Sequence, residues 1–272
     1  MSNDATPQAG LARLKQRLNE IPRLAVSFSG GIDSALLLKI AVDAMGPDRV
    51  IAITARGVNF LEREFEEAVA FARDLGVRHI FLDFDALSLR EFVENSPERC
   101  YHCKKKLFRA AWDAARDAGA DALADGANTD DDGDYRPGMR ATRELGVLSP
   151  LRDAGFGKKE IRQLLRELSL AWWDKPSLAC LASRIPYGTE IRAEDLRKIE
   201  RAERFLLEFG FKNVRVRHHG NLARIEVNAD ERALLVDEST MERVDRELRE
   251  IGYDYVTMDL RGYRTGSMNE TL

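Results

Sequence analysis

"LAVSFSGGIDSALLLKIA", residues 24–41, runs from a short apolar segment into a helical pattern through a turn of glycines and hydroxyls. A buried strand ending at Ser27 or Phe28 is followed by Ser29-Gly30-Gly31-Ile32-Asp33-Ser34, and a helix begins at once. Glycines let backbone N–H groups approach an anion, hydroxyls add donors, and a helix start presents the positive end of its dipole. The stretch therefore predicts a phosphate or pyrophosphate site built from Ser27, Ser29, Gly30, Gly31, Asp33 and Ser34. The plainer alternative is a strand-to-helix turn that uses glycine only for an unusual dihedral. Neither a G-x-x-x-x-G-K-[ST] loop nor a G-x-G-x-x-G dinucleotide turn occurs in the chain.

Outward from this turn the pattern repeats. Leu11, Leu14, Leu18 and Ile21 recur at helical spacing and predict a helix over Ala9–Glu20, stopped by Pro22. Apolar runs "RLAVSFS", "VIAITA", "HIFLDF" and "ADALADGA" alternate with the helical stretches "ALLLKIAVDAMG", "EREFEEAVAFARDLG" and one from about Lys104 to Ala118. Continuous apolar runs separated by helices indicate buried parallel strands. The expected fold class is α/β, a doubly wound parallel sheet whose ligands lie at the carboxyl ends of the strands. That rule also brings Gly126 and the run Asp130 to Asp134 toward the site. From about Gly188 the order becomes helix, hairpin, helix, strand, which predicts a small C-terminal α+β domain over 188–272 behind a nucleotide domain over 1–187.

The bulk numbers bound the function. A chain of 272 residues with 44% hydrophobic and 32% charged residues can bury a proper core. A net charge of -4 argues against nucleic acid as the main partner. No apolar run approaches the roughly 20 residues of a membrane span, and Met1–Ala9 has no export-signal pattern, so the expected compartment is the cytoplasm. Three cysteines without an export signal favour thiol or metal chemistry over a disulfide framework. Cys100 and Cys103 form a Cys-x-x-Cys step; a redox pair, a zinc site completed by His102 or a distant histidine, and an iron-sulfur cluster with Cys180 are all open at this level. Cys180, between Leu178 and Leu181 in sequence, also fits a buried small hydrophobe.

The Ser29–Ser34 turn resembles that of the PP-loop ATP pyrophosphatases, which have the adenine nucleotide alpha-hydrolase-like fold. This resemblance implies that ATP adenylates a substrate and that magnesium pyrophosphate leaves. Three further stretches, "ERCYHCKKKLF" (98–108), "DGANTDDDGDYRPGMRATRELGVLSPL" (125–151) and "KPSLACLASRIPYGTEI" (175–191), sharpen the likeness. Together with the turn, "NVRVRHHGNLARIEV" and the terminal "GYRTGSMNETL", they resemble the LarE family, ATP-dependent sulfur transferases of nickel-pincer nucleotide synthesis for lactate racemase.

The resemblance implies that the carboxylates of a pyridinium-3,5-dicarboxylate mononucleotide are adenylated and converted to thiocarboxylates, with ATP and Mg2+ as cofactors. It implies a three-cysteine branch in which Cys100, Cys103 and Cys180 hold a [4Fe-4S] cluster that carries the transferred sulfide. Lys104, Ser183, Arg184, Arg215 and Arg217 are then expected to bind substrate phosphate, and Glu203 and Glu226 to line a metal site between subunits of a homo-oligomer. For the arginines the polar face of a half-buried sheet is the alternative, and for the glutamates a surface charge. Asp33 is expected either to serve Mg2+ or to brace the turn. Two other functions compete: another PP-loop ligase or thiolase acting on an acceptor such as a tRNA base, and a non-catalytic nucleotide-binding module.

Overall fold

The computed structural model describes residues 7–133, 137–176, 179–264 and 267. Helix α1 (Pro7–Asn19) precedes an alternation of β1 (Leu24–Ser27), α2 (Ile32–Met45), β2 (Val50–Arg56), α3 (Glu62–Asp74) and β3 (Arg78–Asp83). A short α4 (Arg90–Val93) leads to the long α5 (Arg99–Asp117), followed by β4 (Ala122–Ala124), α6 (Gly138–Glu144), α7 (Pro150–Asp153) and α8 (Lys158–Glu167). The second half holds α9 (Ala193–Phe209), β5 (Val214–His219), β6 (Leu222–Val227), α10 (Arg232–Leu235), α11 (Glu238–Ile251) and β7 (Tyr255–Met258).

The first four strands are parallel and ordered β3-β2-β1-β4. Alternate residues of a strand face opposite sides. Leu24 and Val26 accordingly enter a core with Leu14, Leu37 and Leu164, while Ala25 enters another with Phe108, Ala111 and Ala115 of α5. Helices thus cover both faces, which makes the sheet doubly wound. The chain proceeds from β1 to β2 and β3 on one side and returns to place β4 on the other. The carboxyl end of β1 is therefore the switch point at which such sheets open a crevice, and the Ser29–Ser34 turn stands there.

The structure divides the chain into one unit of Met1–Phe84 with Cys100–Leu178 and a second of Asp85–Arg99 with Ala179–Leu272. A single cut between 187 and 188 does not describe this. The segment 85–99 joins the second unit because buried hydrogen bonds from Asn95 fasten it to residues 185–189. Helix α5 also starts at Arg99 rather than near Lys104, since no breaker separates Arg99 from Lys104, and Cys100 and Cys103 lie within its first turns.

In the second unit β5 pairs antiparallel with β6, and β7 adds parallel to β6. Val214 and Val216 pack with Ile225 and Val227 against Leu206 of α9 and Val244 and Leu248 of α11. Arg215 and Arg217 alternate with these valines, and Arg215 lies opposite Glu226 across the pair. Asp237 caps α11 by accepting the Thr240 N–H at 3.1 Å.

Candidate active site

Gly30 holds a φ of 75°, and a Cβ there would stand 2.8 Å from the Glu64 carbonyl oxygen, so no side chain fits. Gly31 is the N-cap of α2 in extended conformation. The serine hydroxyls brace the turn: the Ser34 hydroxyl donates to the Gly31 carbonyl at 3.0 Å, lies 3.2 Å from the Ser29 hydroxyl, and accepts the Ser29 N–H at 3.3 Å. Ser27 ends β1 immediately below. The result is a short loop whose shape is set internally and whose helix start points at the switch point of the sheet.

Three side chains outside the motif hold this loop. The Lys175 ammonium donates to the Gly30 carbonyl at 2.8 Å, is paired with Glu67, and stands 4.4 Å from the Trp172 ring centroid. Burial works against ionisation of Glu67, but Lys175 and Arg63 outweigh it and hold the carboxyl below its usual range. Thr54 of β2 donates to the Phe28 carbonyl at 2.7 Å, and its oxygen lies 2.7 Å from His79 Nε2. Because the threonine proton is already committed to Phe28, His79 must donate from Nε2, as its Nε2–H tautomer does. Burial lowers its pKa to about 4 in agreement. Lys158, the first residue of α8, pairs with Asp33 in the first turn of α2.

At the end of β4, a Cβ on Gly126 would lie 2.7 Å from the Ser34 backbone nitrogen, so the strand end and the α2 start meet backbone to backbone. The preceding Asp125 is buried, accepts from Ser149 Oγ at 2.8 Å and from the Ala127 N–H at 3.2 Å. Burial raises its pKa, opposed by the charge of Lys104. Of the three successive lysines, Lys104 is turned this way, and the Lys106 ammonium stands 5.8 Å from the Phe84 ring centroid. The stem of Lys104 packs where a Cβ on Gly138 would fall, while Lys105 bonds Tyr101 and Glu144. In the acidic run, Asp130 accepts the Lys158 N–H that opens α8 at 2.9 Å, and Asp131 accepts the Asn128 N–H at 3.1 Å. Asp134 lies outside the described residues, as does most of "GYRTGSMNETL".

Cys100 is exposed and Cys103 half-buried, one helical turn apart on α5 in the first unit; Cys180, half-buried, belongs to the second. Among the described residues no group of three or more His, Cys, Asp or Glu side chains is placed to hold a metal ion. Cys180 opens the 3-10 turn Leu181–Arg184, and its carbonyl accepts the Ser183 N–H at 2.9 Å.

The second unit holds several buried charges. Arg184 is 1% exposed, and its guanidinium donates to both Glu203 oxygens at 2.8 Å and to the carbonyls of Ala179 and Cys180 at 2.7 and 3.2 Å. It thereby braces the Cys180 turn. Glu203 also accepts the Val216 N–H at 2.9 Å; burial opposes its ionisation, but Arg184 prevails and keeps its pKa low. Glu226 accepts from Arg217 at 2.6 Å and is fully buried. Both glutamates are thus buried and paired with guanidiniums inside the unit, so neither is a surface charge. Arg217 also donates to the Ser183 carbonyl at 2.8 Å, while its Nε is buried with no hydrogen-bond partner among the described residues. Arg215 lies against Tyr263, and burial together with the nearby Arg184 charge lowers its pKa. The Arg217 charge also opposes that of Arg215, although Glu226 pairs with Arg217.

Sequence reasoning passed over Lys175, Lys158, His79, Thr54, Asp125 and Asn95. Lys175 stands at the head of "KPSLAC", and Asn95 shortly before the cysteine pair, so position relative to a motif was the available signal.

A family model described as NAD synthase matches residues 11–112. The chain is 39% identical over 269 residues to the pyridinium-3,5-bisthiocarboxylic acid mononucleotide synthase of Lactiplantibacillus plantarum, a match covering 98% of this chain and 96% of the relative. An uncharacterized protein of Synechocystis is 38% identical over 265 residues, 97% of this chain and 98% of its own. A tRNA-specific 2-thiouridylase of Caulobacter is 29% identical over 193 residues, 57% of this chain and 47% of that enzyme.

Proposed function

The chain belongs to the LarE-type family of pyridinium-3,5-bisthiocarboxylic acid mononucleotide synthases, and from that premise we propose that it converts the carboxylates of pyridinium-3,5-dicarboxylate mononucleotide to thiocarboxylates with ATP. The observation that carries the proposal is the braced loop at the β1 switch point, with the Gly30 carbonyl tied back to Lys175. A carboxylate is a poor electrophile, and adenylation supplies a leaving group. A substrate carboxylate oxygen attacks the α-phosphorus of ATP, the bond to the β-phosphate oxygen breaks, and pyrophosphate leaves on the loop. A sulfur nucleophile then attacks the acyl carbon, and AMP departs with the former carboxylate oxygen.

Residues of this chain divide the work. The α2 start and the Gly31 N–H bind pyrophosphate, and Lys158 is free to turn from Asp33 to phosphate once Asp33 serves as the oxygen donor for Mg2+. Ser183, Arg184, Arg215 and Arg217 of the second unit are the residues we assign to the substrate phosphate, supported by the Arg217 Nε that lacks a partner among the described residues, and Lys104 of the first unit is assigned to substrate binding. Cys100, Cys103 and Cys180 are the thiolates we assign to a [4Fe-4S] cluster, which when bound supplies a replaceable sulfide. The spacing of Cys100 and Cys103 by one helical turn fits two such ligands. We place the enzyme in the cytoplasm as a homo-oligomer without nucleic acid partners; no helix among the described residues is long and apolar enough to cross a membrane.

The test is anaerobic purification, determination of iron and acid-labile sulfide, and incubation with ATP, Mg2+, sulfide and the dicarboxylate nucleotide, weighing product and protein. Thiocarboxylate product with bound iron and unchanged protein mass is expected. Loss of a sulfur atom from Cys180 in iron-free protein would replace the cluster by a sacrificial cysteine, and absence of product would sink the substrate assignment.

A further inference from the structure

Asn95 is fully buried and holds a φ of 54°, in the left-handed region that non-glycine residues rarely adopt and asparagine tolerates best. Its amide nitrogen lies 3.3, 2.8 and 2.9 Å from the carbonyl oxygens of Ile185, Pro186 and Thr189, so two hydrogens serve three acceptors. Its backbone carbonyl accepts the Gly188 N–H at 3.0 Å, and its Oδ1 accepts from Arg99. Around this knot the Ile191 N–H reaches the Val93 carbonyl at 2.9 Å, and the Arg99 guanidinium lies 4.5 Å from the Tyr187 ring centroid.

Both strands of the knot lead to a cysteine. Residues 185–191 follow directly on the Cys180–Arg184 turn, and Arg99 is peptide-bonded to Cys100. We infer that Asn95 is a positioning residue for sulfur transfer, fixing the Cys180 turn to the backbone that leads into Cys100. The inference rests on the proposed role of these thiols. No other side chain does the same work: aspartate lacks the donors, glutamine places its amide one methylene too far, and glycine keeps the dihedral but has no amide.

The full-length protein tests this as wild type, Asn95→Asp and Asn95→Gly. Alkylation of Cys180 by iodoacetamide, followed by peptide mass spectrometry, is expected to run at least about tenfold faster in both variants, since tenfold answers to about one lost buried hydrogen bond and each variant loses more than one. Calorimetric Mg2+·ATP affinity stays within about twofold, and thiocarboxylate formation falls about 100-fold, as misplacement on the order of 1 Å produces. Cys180 reactivity unchanged in both folded variants would overturn the inference. A wild-type measurement covers variants that fail to fold: the Ser183, Ile185, Gly188 and Ile191 amides, all hydrogen-bonded, should exchange with deuterium through one shared opening. A Cys180 turn that opens separately from Gly188 and Ile191 counts against the inference. Should the wild type make no thiocarboxylate, the substrate reading fails, while alkylation and exchange still decide the role of Asn95.

Discussion

The ammonium of Lys175 is 2.8 Å from the carbonyl oxygen of Gly30. In a trans peptide the C=O and the following N–H point in opposite directions, so tying back this carbonyl turns the Gly31 N–H to the inside of the loop, where it donates to the Ser29 hydroxyl at 3.4 Å. Replacing Lys175 by methionine is expected to weaken Mg2+·ATP and pyrophosphate binding by about 10- to 100-fold, the equivalent of a charged hydrogen bond. Arginine should rescue part of the loss. Calorimetry on both variants decides, and an unchanged Kd in the methionine variant would show that the loop keeps its shape alone.

Gly126 meets the first turn of α2 at the Ser34 nitrogen, 2.7 Å from where a Cβ would stand. The obstacle is backbone, which cannot swing aside. Gly126→Ala is therefore expected to cost about 1–3 kcal/mol of stability, the usual penalty of overpacking, and to displace the phosphate loop. A lowered urea midpoint together with weaker ATP binding is the expected pair of results.

His79 is held neutral by burial, its pKa lowered to about 4 from 6.5. The unfolded chain takes up a proton as the pH falls through the ordinary value, while the folded chain resists until about 4. Stability from this residue is thus complete above pH 6.5 and lost progressively from there toward pH 4. Urea titrations at pH 7.5 and 4.5 should show a smaller difference for His79→Gln, whose amide still donates to Thr54. An identical difference would assign the acid sensitivity elsewhere.

The Arg184–Glu203 pair is enclosed, with side chains 1% and 3% exposed. Glu203→Ala leaves a buried guanidinium without its counter-charge, for which about 3–5 kcal/mol of destabilisation is expected. The double variant Arg184→Met/Glu203→Leu should recover much of that stability. Thiocarboxylate formation should stay low in it, because the carbonyls of Ala179 and Cys180 have lost their donor. Recovery of both would make the pair purely a matter of stability.

Much of this architecture was legible in apolar runs and glycines. "LAVSFSGGIDSALLLKIA" reads as strand, turn and helix because local pattern and parallel pairing agree there. The direction of Arg215 and Arg217 followed from the strand period, but their burial did not, since a charged residue buried by a partner from a distant helix looks the same in sequence as an exposed one. Arg184 and Glu203, 19 residues apart, illustrate this. Lys175 and Gly30 are separated by 145 residues, and no local pattern encodes such a bond. Helix α5 begins at Arg99, ahead of the start near Lys104 that the sequence suggests, and Arg99 at its first position donates to Asn95 Oδ1, a contact that no local pattern announces.

The second unit is entered twice by the chain, and this has a consequence for synthesis. Thr189 leaves the ribosome 94 residues after Asn95, a delay of roughly 5–20 s at ordinary elongation rates. For nearly all of that interval the three carbonyls that Asn95 will bind do not yet exist. All four strands of the parallel sheet have then been made, while the segment 85–99 still waits for its partners, so during synthesis the second unit closes only after residues 185–189 have followed.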